Sequence, residues 1–137
     1  MATVPGVIRQ AAAIAVRDGQ LCLVTSSSGK RWVIPKGCLE PGKSSGEIAL
    51  QEAWEEAGLV GVLQAEPVGS YLYEKYGNLH HVTVFLLTVT EAAEDWQERT
   101  LRQRVWVNPT QALLRVEDPG LRELIRAVFT ERAALVT

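Results

Sequence analysis

The sequence predicts a layered α/β (α+β) domain, a mixed β-sheet covered by helices. Three observations predict it. Short runs of small and β-branched residues recur along the chain, an amphipathic segment with its own cap interrupts them, and a second helical stripe closes the chain. At 137 residues the chain has the commonest size of one domain, so residues 1–137 are read as a single unit.

The first strand spans residues 10–16 and turns back at Asp18-Gly19, a hairpin signal, into a strand over 20–25. Ser26-Ser27-Ser28-Gly29-Lys30 is a polar loop, and Trp32-Val33-Ile34 is a short buried strand stopped by Pro35. Gly37 and Pro41-Gly42 make 36–43 an ordered loop. Ser44 with Glu47 three residues later is a capping box, which starts a helix that Gly58 ends. Leu50, Ala53, Trp54 and Ala57 supply its apolar face, so Trp54 is expected in the core. Strands resume over 60–63, 68–76, 79–90 and 104–107, with Gly77-Asn78 as a turn. Asp118-Pro119 caps a last helix whose buried stripe is Leu121, Leu124, Ile125, Val128 and Phe129.

Charge and cysteine usage narrow the function. Fourteen Lys and Arg against sixteen Asp and Glu give a net charge of -2. A protein that coats nucleic acid or an anionic membrane carries a basic surplus, so neither partner is expected. One small anion in a local basic pocket stays open. Cys22 and Cys38 form no C-x-x-C pair and read as ordinary thiols of a reducing compartment. The apolar run over 11–16 is too short for a signal segment or a membrane span, which points to a cytoplasmic protein.

The informative segment is Gln51-Glu52-Ala53-Trp54-Glu55-Glu56-Ala57-Gly58. Glu52, Glu55 and Glu56 stand at i, i+3 and i+4 and project from about one helix face. Like charges at that spacing repel, and the helix C-terminus disfavours anions. A bare E-x-x-E-E is by itself a solvated acidic face. A divalent cation reverses both penalties, because Mg²⁺ takes carboxylate, phosphate and water oxygens. Gly37 precedes this helix in a loop that must fold back, and a glycine lets its carbonyl approach the same metal. Arg31, Lys36 and Lys43 supply the cations that a polyphosphate needs.

Taken together, Gly37-x5-Lys43-x7-Gln51-Glu52-Ala53-x-Glu55-Glu56-x-Gly58-Leu59 resembles the Nudix box, G-x5-E-x7-R-E-U-x-E-E-x-G-U with U aliphatic. Lys43 stands where the family usually has Glu, and Gln51 where it usually has Arg. Losing both removes a charge pair without stranding one member. Ser26-Ser27-Ser28, Arg31-Trp32-Val33-Ile34-Pro35, Glu40-Pro41, His80, Glu94-Asp95-Trp96 and Arg104-Val105-Trp106-Val107 are similar to the diphosphoinositol polyphosphate phosphohydrolase branch, which also cleaves diadenosine polyphosphates.

The resemblance implies a Nudix-type α/β/α sandwich and Mg²⁺-dependent hydrolysis (Mn²⁺ as a substitute) of a diphosphate linkage in a nucleoside or inositol polyphosphate. It implies Glu52, Glu56, Glu55 and the Gly37 carbonyl as metal ligands. Glu55 is the general base by analogy, with Glu52 as the other candidate. Arg9, Ser26, Ser27, Ser28, Arg31, Lys36, Gly37, Cys38 and His80 are the candidate substrate contacts, with Arg9 and His80 at the rim. Cys38 either packs or lines the site, and His80 fits strand packing equally. The branch carries more cations around Arg9-Gln10 and Asn78-Leu79-His80-His81, which favours a dinucleotide here over an inositol. The partner is a small phosphorylated molecule, not a nucleic acid duplex or a membrane, and the protein acts as a monomer or homodimer. The second reading is a non-catalytic Nudix-fold module that senses such a ligand. A third, hydrolysis of RNA 5′ ends, needs a basic tracking surface that the acidic charge balance does not supply.

Overall fold

The structure is a computed structural model that describes residues 6–136, with side chains through 131. Positions 1–5 and 137 of the expected 1–137 unit lie outside the described residues. In chain order the elements are β1 (Val7–Arg17), β2 (Gln20–Thr25), β3 (Trp32–Val33), β4 (Lys36–Cys38), α1 (Ser45–Ala57), β5 (Leu59–Leu63), β6 (Gly69–Lys75), β7 (Asn78–Ala92), β8 (Arg104–Val107), α2 (Pro109–Arg115) and α3 (Pro119–Val136).

The expected mixed sheet is present, and β1 with β7 is its spine. These two strands run parallel from Val7 opposite Leu79 to Val16 opposite Thr88. The other edge of β1 is shared, by β4 at Gln10 to Ala12 and by β2 at Val16 and Arg17. β7 likewise carries β6 and β5, and β2 carries β3 and β8. Asp18 and Gly19, at φ 52° and 75°, both occupy the left-handed region, as a type I′ hairpin turn requires.

From Ala11 to Val16, β1 is buried on both faces, which is why this stretch reads as an unbroken apolar run. Ala12, Ile14 and Val16 face a core closed by Leu121, Ile125 and Val128 of α3. Ala11, Ala13 and Ala15 face the opposite core, closed by Ile48, Ala49, Ala53 and Ala57 of α1. Burying an isoleucine such as Ile14 or Ile125 contributes roughly 1.5–3 kcal/mol. The alanine stripe lets α1 lie close to the sheet, and that close approach positions its carboxylates.

Four expectations are corrected. Leu50 and Trp54 are 38% and 45% exposed, so Trp54 is not in the core. The helical period allows either face, and the small sheet residues select the small helix residues. The ordered loop over 36–43 opens with strand β4, since three residues suffice to fill the free edge of β1. Helix α2 was not expected, although Asn108 caps it by accepting the Gln111 N–H at 2.8 Å and Pro109 follows at its first position. The β6–β7 turn is Tyr76-Gly77, at φ 53° and 76°, because Asn78 already pairs with Lys75.

Candidate metal and phosphate site

Helix α1 begins and ends where the sequence places it. Ser44 Oγ accepts the Glu47 N–H at 3.1 Å, and Glu47 Oε1 accepts the Ser44 N–H at 3.1 Å. Gly58 closes the helix in the left-handed region at φ 68°. No basic side chain stands in the last turn of α1. Its carbonyls are instead bonded from distant segments. The Glu98 N–H donates to Glu55 O at 3.1 Å, Trp96 Nε1 to Glu56 O at 2.9 Å and Arg104 Nη1 to Ala57 O at 2.7 Å. These donors answer the helix-end cost that the acidic last turns raise.

Glu52, Glu55 and Glu56 differ in depth. Glu56 is 4% exposed, while Glu52 and Glu55 are half-buried. Burial pushes the Glu52 carboxyl up to about 8, aided by hydrogen bonds and charge from Glu56 and Glu55. Burial also raises Glu56, against the pull of its hydrogen bond with Glu52 and of the Arg102 guanidinium. Crowding and burial thus favour the neutral form of the carboxyls at this point of α1. Arg102 Nη1 stands 3.8 Å from Glu56 Oε1, and its Nε is held by Glu98 Oε1 at 2.7 Å.

Gly37 lies directly against Glu52. A Cβ built at position 37 falls 2.5 Å from Glu52 Cδ, so only glycine leaves room for the carboxylate. Among the described residues, no three His, Cys, Asp or Glu side chains form a ready-made metal cage. The donors at hand are the crowded carboxylate oxygens of Glu52, Glu55 and Glu56, a set suited to a hard divalent ion completed by phosphate and water. The residues fit the ion.

The substituted box pair is bonded. Lys43 Nζ donates to Gln51 Oε1 at 2.6 Å, and Gln51 Nε2 reaches Glu40 Oε2 at 3.5 Å. A chain of hydrogen bonds thus links the β4–α1 loop to α1, where an ion pair was expected to have been lost.

Lys36 lies next to this cluster. Burial lowers its ammonium pKa, the nearby Glu56 carboxylate raises it, and the group sits 5.4 Å from the Tyr73 ring centroid. Lys36 and Arg31 share a cleft with Trp32, Tyr71 and Tyr73. The serine loop closes on Arg31: Ser26 N–H donates to Arg31 O at 2.8 Å, and Arg31 N–H to Ser26 Oγ at 3.3 Å. Ser28 Oγ stands 3.2 Å from Ser26 Oγ, so these hydroxyls shape the loop, while Ser27 is exposed.

Arg9 is exposed, and its carbonyl accepts the Leu39 N–H at 3.0 Å. Cys38 is exposed beside Gly37, with Gln10 Nε2 3.9 Å from its sulfur. His80 departs from the expected rim position. It is 8% exposed and stacks on Tyr73 at 4.5 Å between centroids, beneath the surface. Sequence reading assigned no role to Arg102, Trp96 or Arg104, because no local spacing ties them to a helix some forty residues earlier.

A model of the NUDIX domain matches residues 7–128. The chain belongs to the Nudix family. Nudix hydrolase 4 of Arabidopsis thaliana is 36% identical over 110 residues, covering 79% of this chain and 53% of that protein. Human diphosphoinositol polyphosphate phosphohydrolase 3-beta is 35% identical over 100 residues, covering 71% of this chain and 60% of that protein. The chain therefore spans little more than half the length of these curated relatives. The crystal structure of a C. elegans Ap4A hydrolase superposes with a TM-score of 0.73 at 20% identity, over 96% of this chain and 99% of that one. At that identity the likeness shows the Nudix fold, a mixed sheet between helices, as the sequence predicts.

Proposed function

We propose that this Nudix chain hydrolyses a diphosphate linkage in a nucleoside or inositol polyphosphate with Mg²⁺ as cofactor. The observation that carries the reading is the packing of Gly37 against Glu52, which makes room for a carboxylate cluster already short of positive charge. The Gly37 carbonyl, Glu52, Glu55 and Glu56 would hold the ion. Bound there, the ion neutralises phosphate charge and lowers the pKa of water.

The chain's own residues do the rest. Glu55 accepts the proton of the attacking water, with Glu52 as the alternative base, as the new P–O bond forms and the bridging P–O bond breaks. Lys36 and Arg31 hold phosphate oxygens, and Arg102 steadies Glu56 from behind. The reading takes one Nudix unit over 1–137, a free small-molecule substrate, no duplex or membrane partner, and a cytoplasmic monomer or homodimer. No helix among the described residues is long and apolar enough to cross a membrane.

The test is Mg²⁺- or Mn²⁺-dependent product release from a panel of dinucleoside polyphosphates, diphosphoinositol polyphosphates and nucleoside diphosphate derivatives. Turnover of one class supports the enzyme. Ligand binding without turnover of any compound favours the sensing module instead.

A further inference from the structure

The end of helix α1 is held from one distant stretch of chain. Four successive carbonyls there, of Glu55, Glu56, Ala57 and Gly58, accept from donors between residues 93 and 104. The Glu98 N–H serves Glu55 O, Trp96 Nε1 serves Glu56 O, Arg104 Nη1 serves Ala57 O, and the Ala93 N–H serves Gly58 O at 2.8 Å. Arg104 Nη1 also donates to Ala93 O at 2.8 Å, so one guanidinium ties the helix end to the residue after β7. Its Cζ lies 4.2 Å from the Trp96 ring centroid, and β8 anchors its backbone opposite Val24. A Cβ at Gly58 would fall 2.9 Å from Trp96 Cβ and 3.3 Å from Arg104 Nη1, so this glycine also makes room for the two side chains.

Water alone satisfies the last carbonyls of an exposed helix. Here Glu55 and Glu56 present their carboxylates from the same turn, so slack in these carbonyls displaces both. The stretch also reaches the Glu56 carboxylate, through Arg102 Nη1 at 3.8 Å, while Glu98 holds the Arg102 Nε. Residue 56 is thus engaged at its main chain and at its side chain. We propose that Trp96 and Arg104 are positioning residues of the metal cluster, setting the backbone from which Glu55 and Glu56 address a divalent ion. Both act through the helix, not on the ion or the substrate. The inference rests on the reading of these glutamates as metal ligands, and it adds the groups behind them that decide how tightly the ion is held.

Mn²⁺ binding to the substrate-free protein, read by electron paramagnetic resonance well below the melting temperature, tests it. Trp96→Phe keeps a ring under Arg104 and removes the N–H that serves Glu56 O. Arg104→Lys keeps the charge and loses the planar fork that spans Ala57 and Ala93. Each is expected to weaken Mn²⁺ binding about tenfold. Trp106→Phe is the control. Its ring lies 4.8 Å from the Arg17 Cζ and packs against the core on the α1 side, and its loss should lower the melting temperature without moving the affinity. An affinity that Trp96→Phe or Arg104→Lys leaves unchanged overturns the proposal, and so does equal weakening in Trp106→Phe. If Trp96→Phe does not fold, Arg104→Lys carries the test. Product release is followed in parallel. Weaker Mn²⁺ binding in the variants, with no compound turned over by wild type, defeats the hydrolase reading and leaves the positioning role standing. Turnover by wild type, with a Mn²⁺ affinity indifferent to both variants, defeats the positioning role alone.

Discussion

Gly37 and Glu52 occupy adjoining space that a single methyl group would fill. Because the clash falls on the end of a flexible side chain, Gly37→Ala is expected to swing the Glu52 carboxylate aside more than to unfold the chain. Melting temperature should change by a few degrees at most while kcat drops tenfold or more. Full activity in the variant refutes the role assigned to this contact.

Glu55→Gln and Glu56→Gln should each lower kcat by a factor of about 10²–10⁴, the usual size of general-base and metal contributions. They should differ in stability. Glu56 is buried beside Arg102, so its neutralisation leaves a guanidinium short of its partner, while Glu55 is half-buried and its loss is nearly silent. Steady-state kinetics with denaturant melts checks both halves; near-normal turnover in both variants would mean the site lies elsewhere.

The acid cluster also makes a prediction about pH. Glu52 holds its proton up to about 8, against an ordinary value of 4.5. A carboxyl whose folded pKa is raised contributes fully below its unfolded pKa, and the contribution is lost as pH climbs to the folded value. The metal-free protein should therefore melt at a lower temperature at pH 8 than at pH 5. Added Mg²⁺ competes with that proton and should raise the melting temperature more at pH 8. A magnesium effect equal at both pH values argues against the assignment.

Lys43→Glu alone places a carboxylate where Glu40 and Gln51 are tuned to a cation, and should slow turnover several-fold. The double change Lys43→Glu/Gln51→Arg should recover it, because it supplies a new pair on the same two positions. The groups are exposed, so the coupling in stability should not exceed about 1 kcal/mol. Collapse of activity in the double variant would give Lys43 a direct part in phosphate binding.

Thiol labelling separates the two cysteines. Burial pushes the Cys22 thiol up to about 12, and Cys38 is exposed. Iodoacetamide at pH 8 should modify Cys38 alone in the folded protein and both residues after denaturation. Modification of Cys22 under native conditions would contradict its packing against the α1 face of the sheet.

Much of this molecule is written locally. The capping box at Ser44 and Glu47, the stop at Gly58, the Asp18-Gly19 turn and the spacing of three glutamates act within a few residues, and periodicity registers them. The Gly37-to-Leu59 pattern carried the family as well, because it records a loop and helix that meet around one chemistry. Tertiary packing decided the rest. Which face of α1 is buried depended on the size of Ala11, Ala13 and Ala15 across the interface, so Trp54 faces outward. His80 was drawn under Tyr73, and Arg102, Trp96 and Arg104 were brought to the end of a helix far away in sequence. Contacts of that kind follow from shape and charge meeting across the fold, and no local spacing records them.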